Sequence, residues 1–342
     1  KNKAFFNVFR EENKHFVTEY PYHSISSETE KSILSHRNCV VIKNQQEYKT
    51  NQEVTTPTNR IITSMLSKER FLFLLRYGFA YVERKVELED GTMGTTLQKH
   101  VMRYQQMFAS YAIKKTLKKN IKSGIIWHTQ GSGKTALAYY NIKILTDFFA
   151  QRNIVAKFYF IVDRIDLMEQ STDEFAARGL VVRNAKSRDE LMKDITSRSI
   201  THNNEGKLEI MVVNIQKFKE DKTTVKVEDS YNTQLQRIFF IDEAHRGYNP
   251  QGSFLANLLE ADKNAVKIAL TGTPLLKEER ESWRIFGDYI HKYYYDKSIA
   301  DGYTCKLMRE PIETVYKEKI EDILDQLAGS VEVKKSDINR NQ

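Results

Sequence analysis

Eight residues, His128-Thr129-Gln130-Gly131-Ser132-Gly133-Lys134-Thr135, constrain this chain more than any other stretch. They follow a short apolar run at 124–127 and precede a segment of helical length at 134–149. An apolar strand, a Gly-rich turn and then a helix form the setting a phosphate-binding loop requires. Backbone N–H groups of Gly131, Ser132, Gly133 and Lys134 can wrap a phosphate, and the positive end of the helix dipole points at it. Lys134 would then reach the β and γ phosphates, and the Thr135 hydroxyl would hold Mg²⁺. The first position, usually Gly or Ala, is His128 here. Standing alone, the stretch could also be a Gly-rich turn followed by an unrelated Lys-Thr pair.

A second signal removes most of that ambiguity. Phe239-Phe240-Ile241 runs into Asp242-Glu243, two adjacent carboxylates at the end of an apolar strand. Such a pair is a poor structural choice unless a cation or water needs it. Asp242 suits a contact to Mg²⁺, direct or through water, and Glu243 suits a base or orienter of an attacking water. Ala269-Leu270-Thr271-Gly272-Thr273-Pro274 again follows an apolar run, and its hydroxyls could bond the acidic pair and sense the γ phosphate.

Around these motifs, apolar runs at 124–127, 157–162, 209–213, 237–241 and 266–270 alternate with helical stretches such as 134–149 and 164–177. Strands alternating with helices imply a parallel sheet covered on both faces. The expectation is therefore an α/β fold: a RecA-like parallel sheet with helices on both faces, preceded by a smaller region of uncertain fold. Upstream, apolar residues thicken at 61–82 and suggest a helix, and 71–82 by itself reads as a buried helix or strand. Residues 83–96 read as a polar loop marked by Gly91 and Gly94, and 98–120 as a basic helix. Val40-Val41-Ile42 is a strand candidate.

Composition adds limits. With 342 residues, 40% hydrophobic, and only 14 Gly and 5 Pro, the chain is neither disordered nor fibrous. No stretch approaches the roughly 20 apolar residues that span a bilayer, so no membrane is expected. Cys39 and Cys305 lie far apart and form no metal or redox spacing, which suits a reducing cytoplasm. A net charge of +8 favours a polyanionic partner. The start at Lys1 without an initiator Met suggests a fragment of a longer chain.

Taken together, the three motifs resemble those of superfamily 2 helicases and translocases. More narrowly, the chain resembles the motor subunit (HsdR) of type I restriction enzymes, in which a His at position 128 is itself usual. Further residues that carry the likeness are Ile161-Val162-Asp163-Arg164-Ile165-Asp166-Leu167, Ile215-Gln216-Lys217-Phe218, Asp242-Glu243-Ala244-His245-Arg246, Phe286-Gly287-Asp288-Tyr289-Ile290 and Ser298-Ile299-Ala300-Asp301-Gly302. Arg103-Tyr104-Gln105-Gln106 resembles the family's adenine-contacting Gln motif, with Gln106 the contact. The likeness covers about residues 61–310.

The resemblance implies an ATP-dependent motor that moves double-stranded DNA before cleavage, with modification and specificity subunits as partners. It implies nucleotide contacts from Gln106, Gly131, Ser132, Gly133, Lys134 and Thr135, and Mg²⁺ on Thr135 and Asp242. Lys134, Asp242 and Glu243 would carry catalysis. His245, Thr271, Gly272 and Thr273 would couple nucleotide state to DNA-facing segments holding Arg164, Gln216 and Lys217.

The expected organisation is a nuclease-domain remnant or linker at 1–60, a helical lead-in at 61–122, the first RecA-like lobe at 123–305, and the start of a connection to a second lobe at 306–342. That second lobe supplies an arginine finger in such motors, and a chain ending at Gln342 leaves no room for it. The family's Asp and Glu-x-Lys nuclease signature has one tempting match, Glu83-Arg84-Lys85, which reads instead as a solvated charge run. Three alternatives remain open from sequence: another superfamily 2 enzyme, such as an RNA helicase or type III restriction subunit; a nucleotide-gated binding module without catalysis; and a structural fragment in which the motor is merely folded.

Overall fold

A computed structural model describes residues 68–87, 91–196, 206–218, 234–243, 262–273, 286–301, 304–305 and 314–330, together with 26, 28, 29, 32, 35 and 258. The candidate strand at 40–42 lies outside these residues, as do Cys39, the 244–246 part of the acidic motif and Pro274. Two compact units divide the chain, 1–304 and 305–342.

In the first unit, α1 (Lys68–Tyr77) leads into a hairpin of β1 (Phe79–Glu87) and β2 (Met93–Val101), and α2 (Tyr104–Lys118) follows. Then come β3 (Ser123–His128), α3 (Lys134–Ala150), β4 (Val155–Val162), α4 (Ile165–Ala176), β5 (Val181–Asn184) and α5 (Arg188–Thr196). Next are β6 (Glu209–Asn214), a 3₁₀ turn (Ile215–Phe218), β7 (Leu235–Asp242), β8 (Val266–Thr271), β9 (Tyr289–Tyr293) and α6 (Tyr295–Ala300). The second unit contains α7 (Thr314–Ser330).

Strands β3 to β9 form one sheet in the order β5-β6-β4-β7-β8-β3-β9, and every neighbouring pair is parallel. Such a sheet must be covered on both faces, and the side chains of its central strands alternate between two cores. Phe158, Phe160 and Val162 of β4 enter the core shared with α2, α3 and α4. Tyr159 and Ile161 enter the opposite core, with Leu191 and Ile195 of α5. The α/β fold with a RecA-like parallel sheet is thus realised, and the expected strands are present with edges shifted by a residue or two. Short β5, the helix α5 and the edge strand β9 were not anticipated as elements.

The lead-in differs from expectation. The expected helix over 61–82 is helical, within its described part, only over Lys68–Tyr77. Gly78 ends it: a Cβ there would stand 2.7 Å from a Leu74 methyl and 2.8 Å from the Leu74 carbonyl. Beyond it, Ala80 and Val82 are buried while Tyr81 is exposed, an alternation that belongs to a strand. Nor is 71–82 uniformly buried, since Phe71, Leu72 and Leu75 are exposed. The polar stretch at 83–96 belongs largely to the hairpin, with Gly91 (φ 79°) in the turn and Gly94 inside β2. The basic helix starts at Tyr104, because 98–101 complete β2. Within Glu83-Arg84-Lys85 the charge run is only partly solvated: Arg84 Nη2 pairs with Glu174 Oε1 at 2.7 Å.

Candidate nucleotide-binding site

The loop after β3 emerges at the C-terminal edge of the sheet, where strand ends and helix N-termini converge. Gly131 and Gly133 have φ of 77° and 85°, left-handed values that an L side chain resists. Gly133 is also sterically pinned, because a Cβ there would lie 2.5 Å from Gln106 Nε2. With both glycines turned this way, the loop enters α3 with Lys134 as its first residue. The N-terminus of that 17-residue helix then faces whatever the loop encloses.

Strands β7 and β8 bring the other two motifs alongside. Asp242 pairs in register with Leu270, and Thr271 with Trp127, so all three motif ends lie on adjacent strands β7-β8-β3. Lys134 Nζ is 3.8 Å from Glu243 Oε1. Glu243 has φ 48°, a strained value for a residue that is not glycine, and such strain tends to be retained at functional sites. Gly272 packs against the loop: a Cβ on it would meet Lys134 Nζ at 3.4 Å and the Gln130 nitrogen at 3.6 Å. Trp127 Nε1 donates to Gly272 O at 3.3 Å, fastening the third motif to the strand beneath the loop. Thr271 Oγ1 donates to Thr273 O (2.9 Å) and accepts from Thr273 N (3.3 Å), so these bonds set the turn itself.

Burial leaves several polar atoms here without a protein partner. Asp242 Oδ1, Thr129 Oγ1 and Ser132 Oγ are buried and make no hydrogen bond. Burial, reinforced by the neighbouring Glu243, pushes the Asp242 carboxyl up to about 6 against the pull of Lys134. An unpartnered buried carboxylate oxygen beside unpartnered hydroxyls suits a hard cation bound together with phosphate oxygens. Among the described residues no group of three or more His, Cys, Asp or Glu could hold a metal ion.

Gln106 occupies the third position of α2, and Arg103 its N-cap. Gln106 Oε1 accepts from the Arg103 nitrogen at 2.9 Å, and its Nε2 donates to Gly133 O at 3.0 Å. Gln106 thus braces the phosphate loop from α2. Arg103 adds a bond from Nη1 to Gly131 O (3.3 Å) that sequence reasoning did not assign. His128 Nε2 lies 2.8 Å from His291 Nδ1 of β9. Burial holds both rings neutral, His291 down to about 3 and His128 well below its ordinary value. The β3–β9 pairing brings the two rings together.

Of the remaining predicted residues, Arg164 and Gln216 stand apart from the loop. Arg164, the N-cap of α4, is exposed and pairs with Asp166 at 2.7 Å. Gln216 is exposed on the 3₁₀ turn after β6, where its backbone N–H bonds Asn214 Oδ1 at 2.9 Å. Both stand at the same edge of the sheet as the loop. The Lys217 side chain and all of His245 lie outside the described residues.

Residues 105–340 match the family model described as SWI2/SNF2 ATPase. The chain belongs to the SWI2/SNF2 ATPase family. It is 26% identical over 341 residues to a type I restriction enzyme endonuclease subunit of Staphylococcus saprophyticus, covering 96% of this chain and 34% of that protein. A type I restriction enzyme endonuclease subunit of Staphylococcus aureus (strain COL) is 27% identical over 312 residues, covering 88% and 31%. The chain thus spans about a third of the length of these curated relatives. The ATP-dependent type ISP restriction-modification enzyme LlaBIII bound to DNA overlays with a TM-score of 0.44 and 12% identity, over 61% of this chain and 16% of that one. The family's ATPase character and the loop geometry point to the same substrate, ATP. No helix among the described residues is long and apolar enough to cross a membrane.

Proposed function

We propose that this chain is the ATPase motor part of a type I restriction enzyme endonuclease subunit, coupling ATP hydrolysis to movement of double-stranded DNA. The observation that carries this reading is the phosphate loop facing a strained, partly unsatisfied acidic pair, with Lys134 Nζ 3.8 Å from Glu243 Oε1. Gly131, Ser132, Gly133 and Lys134 enclose the phosphates with backbone N–H groups. Lys134 offsets charge that builds on the transferred phosphoryl group. Thr135 and Asp242 hold Mg²⁺, which when bound neutralises the phosphate oxygens. Glu243 orients the attacking water, and Gln106 contacts the adenine, as its likeness to the family's Gln motif implies. Thr271, Gly272, Thr273 and His245 couple the nucleotide to Arg164, Gln216 and Lys217, which meet the DNA backbone.

In organisation, residues 123–305 would be the first RecA-like lobe, 306–342 the start of a connection to a second, 61–122 a lead-in, and 1–60 a remnant of a nuclease domain or a linker. Modification and specificity subunits would be its partners in the cytoplasm.

The test is ATP hydrolysis by the full-length parent chain with duplex DNA, single-stranded DNA, RNA or no nucleic acid. Duplex-stimulated turnover is expected, and Glu243→Gln should lower it about 10²-fold or more. Stimulation by RNA alone, or turnover indifferent to Glu243→Gln, would overturn the reading.

A further inference from the structure

One carboxylate oxygen joins the two elements that grip the phosphate loop. Tyr104 opens α2 and Tyr293 closes β9, and both phenol hydroxyls donate to Asp301 Oδ2, at 2.6 and 2.5 Å. Their rings pack edge to face with centroids 6.0 Å apart. On one side, Tyr104 sits between Arg103 and Gln106, whose side chains hold Gly131 O and Gly133 O. On the other, the Tyr293 carbonyl accepts from Thr129 N at 3.2 Å, and His291 of the same strand bonds His128. The loop is therefore held at its start from β9 and at its end from α2, and Asp301 sets the distance between the two holds.

Asp301 is itself anchored. Its N–H donates to Lys297 O at 2.9 Å, at the C-terminus of α6. Just beyond, Thr304 N donates to Ser298 O at 3.2 Å and Thr304 Oγ1 lies 2.5 Å from Ser298 Oγ, folding the chain back on α6. Short bonds from hydroxyls to an ionised carboxylate are among the stronger ones available to a side chain, and two on one oxygen resist shear between the donors.

We propose that Asp301, through Tyr104 and Tyr293, is a positioning residue of the nucleotide site that keeps loop 128–135 in its phosphate-binding shape. The inference rests on the ATP reading of that loop. It touches no nucleotide itself, so its loss should weaken capture more than chemistry.

The full chain, wild type and Asp301→Ala, is compared by amide hydrogen exchange without nucleotide and by ATP hydrolysis. Exchange in peptides covering 128–135 should accelerate about tenfold, with β4 and β7 amides unchanged, consistent with loss of charge-assisted bonds. The KM for ATP should rise about tenfold and kcat change by less than about twofold. The pair Tyr104→Phe with Tyr293→Phe should reproduce both effects, and it carries the test if Asp301→Ala does not fold. Unchanged loop exchange, exchange raised evenly across the sheet, or a fall in kcat at constant KM would each overturn the proposal. If the wild type hydrolyses no ATP, the ATP reading fails, while loop exchange still decides whether the tether exists.

Discussion

Lys157 and Arg237, near the starts of β4 and β7, and Arg183 of β5 each meet a carboxylate, whereas at the C-terminal ends of the strands Asp242 Oδ1, Thr129 Oγ1 and Ser132 Oγ are buried without a partner. Asp194 of α5 takes Lys157 Nζ at 3.0 Å, Arg183 Nη1 at 2.5 Å and the Tyr159 hydroxyl at 2.9 Å. Burial pushes the Asp194 carboxyl up, yet these bonds hold it below its ordinary value. At the other end burial prevails, and the Asp242 carboxyl rises to about 6. Charge is buried on both sides of one sheet: on one side each cation meets a carboxylate, although Asp262 Oδ1 is itself without a bond, and on the other Asp242 Oδ1 has none where phosphates and a cation would arrive. A fold can carry such an unmet end because the paired end and the two cores offset its cost.

The largest test of that contrast is at the paired end. Arg237 Nε lies 2.5 Å from Asp262 Oδ2, both side chains buried. Asp262→Ala would strand the guanidinium and should destabilise the fold by about 3–5 kcal/mol in urea unfolding. A loss below about 1 kcal/mol would mean that water already reaches this end.

The unmet end should respond in the opposite direction. The folded Asp242 carboxyl titrates near 6, above its ordinary value of 3.8. Between those values the folded state binds more protons than the unfolded one, so stability falls as pH rises. Asp242→Asn removes that cost and should stabilise the nucleotide-free protein by about 2 kcal/mol at pH 7.5, fading towards pH 4, while ATP turnover is lost. Urea midpoints in EDTA at both pH values check it. Destabilisation at pH 7.5 would show that the carboxylate is already satisfied.

A smaller effect separates the buried imidazoles from both kinds of charge. His291 titrates near 3 when folded, against an ordinary 6.5, so the unfolded state binds more protons in between and stability falls as pH drops. His291→Gln keeps a bond to His128 and removes one titrating ring. Its acid limb should be flatter, retaining about 1 kcal/mol more at pH 5.5 relative to neutral pH. An unchanged limb would place the titration elsewhere.

The phosphate loop was legible because its chemistry is local: two glycines that must take positive φ, a Lys and a hydroxyl, between an apolar run and a helix. The acidic pair was legible for the same reason, as carboxylates that end an apolar strand. The hairpin over 79–101 was misread because the dense apolar cluster around Phe71 hid the period-two alternation of Ala80, Tyr81 and Val82. Strand β9 escaped because an edge strand with His291 and Lys292 has no apolar run. Its partner β3 lies more than 150 residues earlier in the chain.

By itself, then, the sequence determined the five apolar strands β3, β4, β6, β7 and β8, the helices that follow β3 and β4, the Gly-rich loop between β3 and α3, and the acidic pair that ends β7. These follow from backbone preferences and from groups only a few residues apart. Tertiary structure alone decided that β8 and β9 flank β3, that Gln106 and Arg103 brace the loop, and that Asp301 bonds both Tyr293 and Tyr104, the latter 197 residues earlier in the chain. It alone also stranded one oxygen of Asp242, because desolvation belongs to the neighbours that close around a group and not to the group itself.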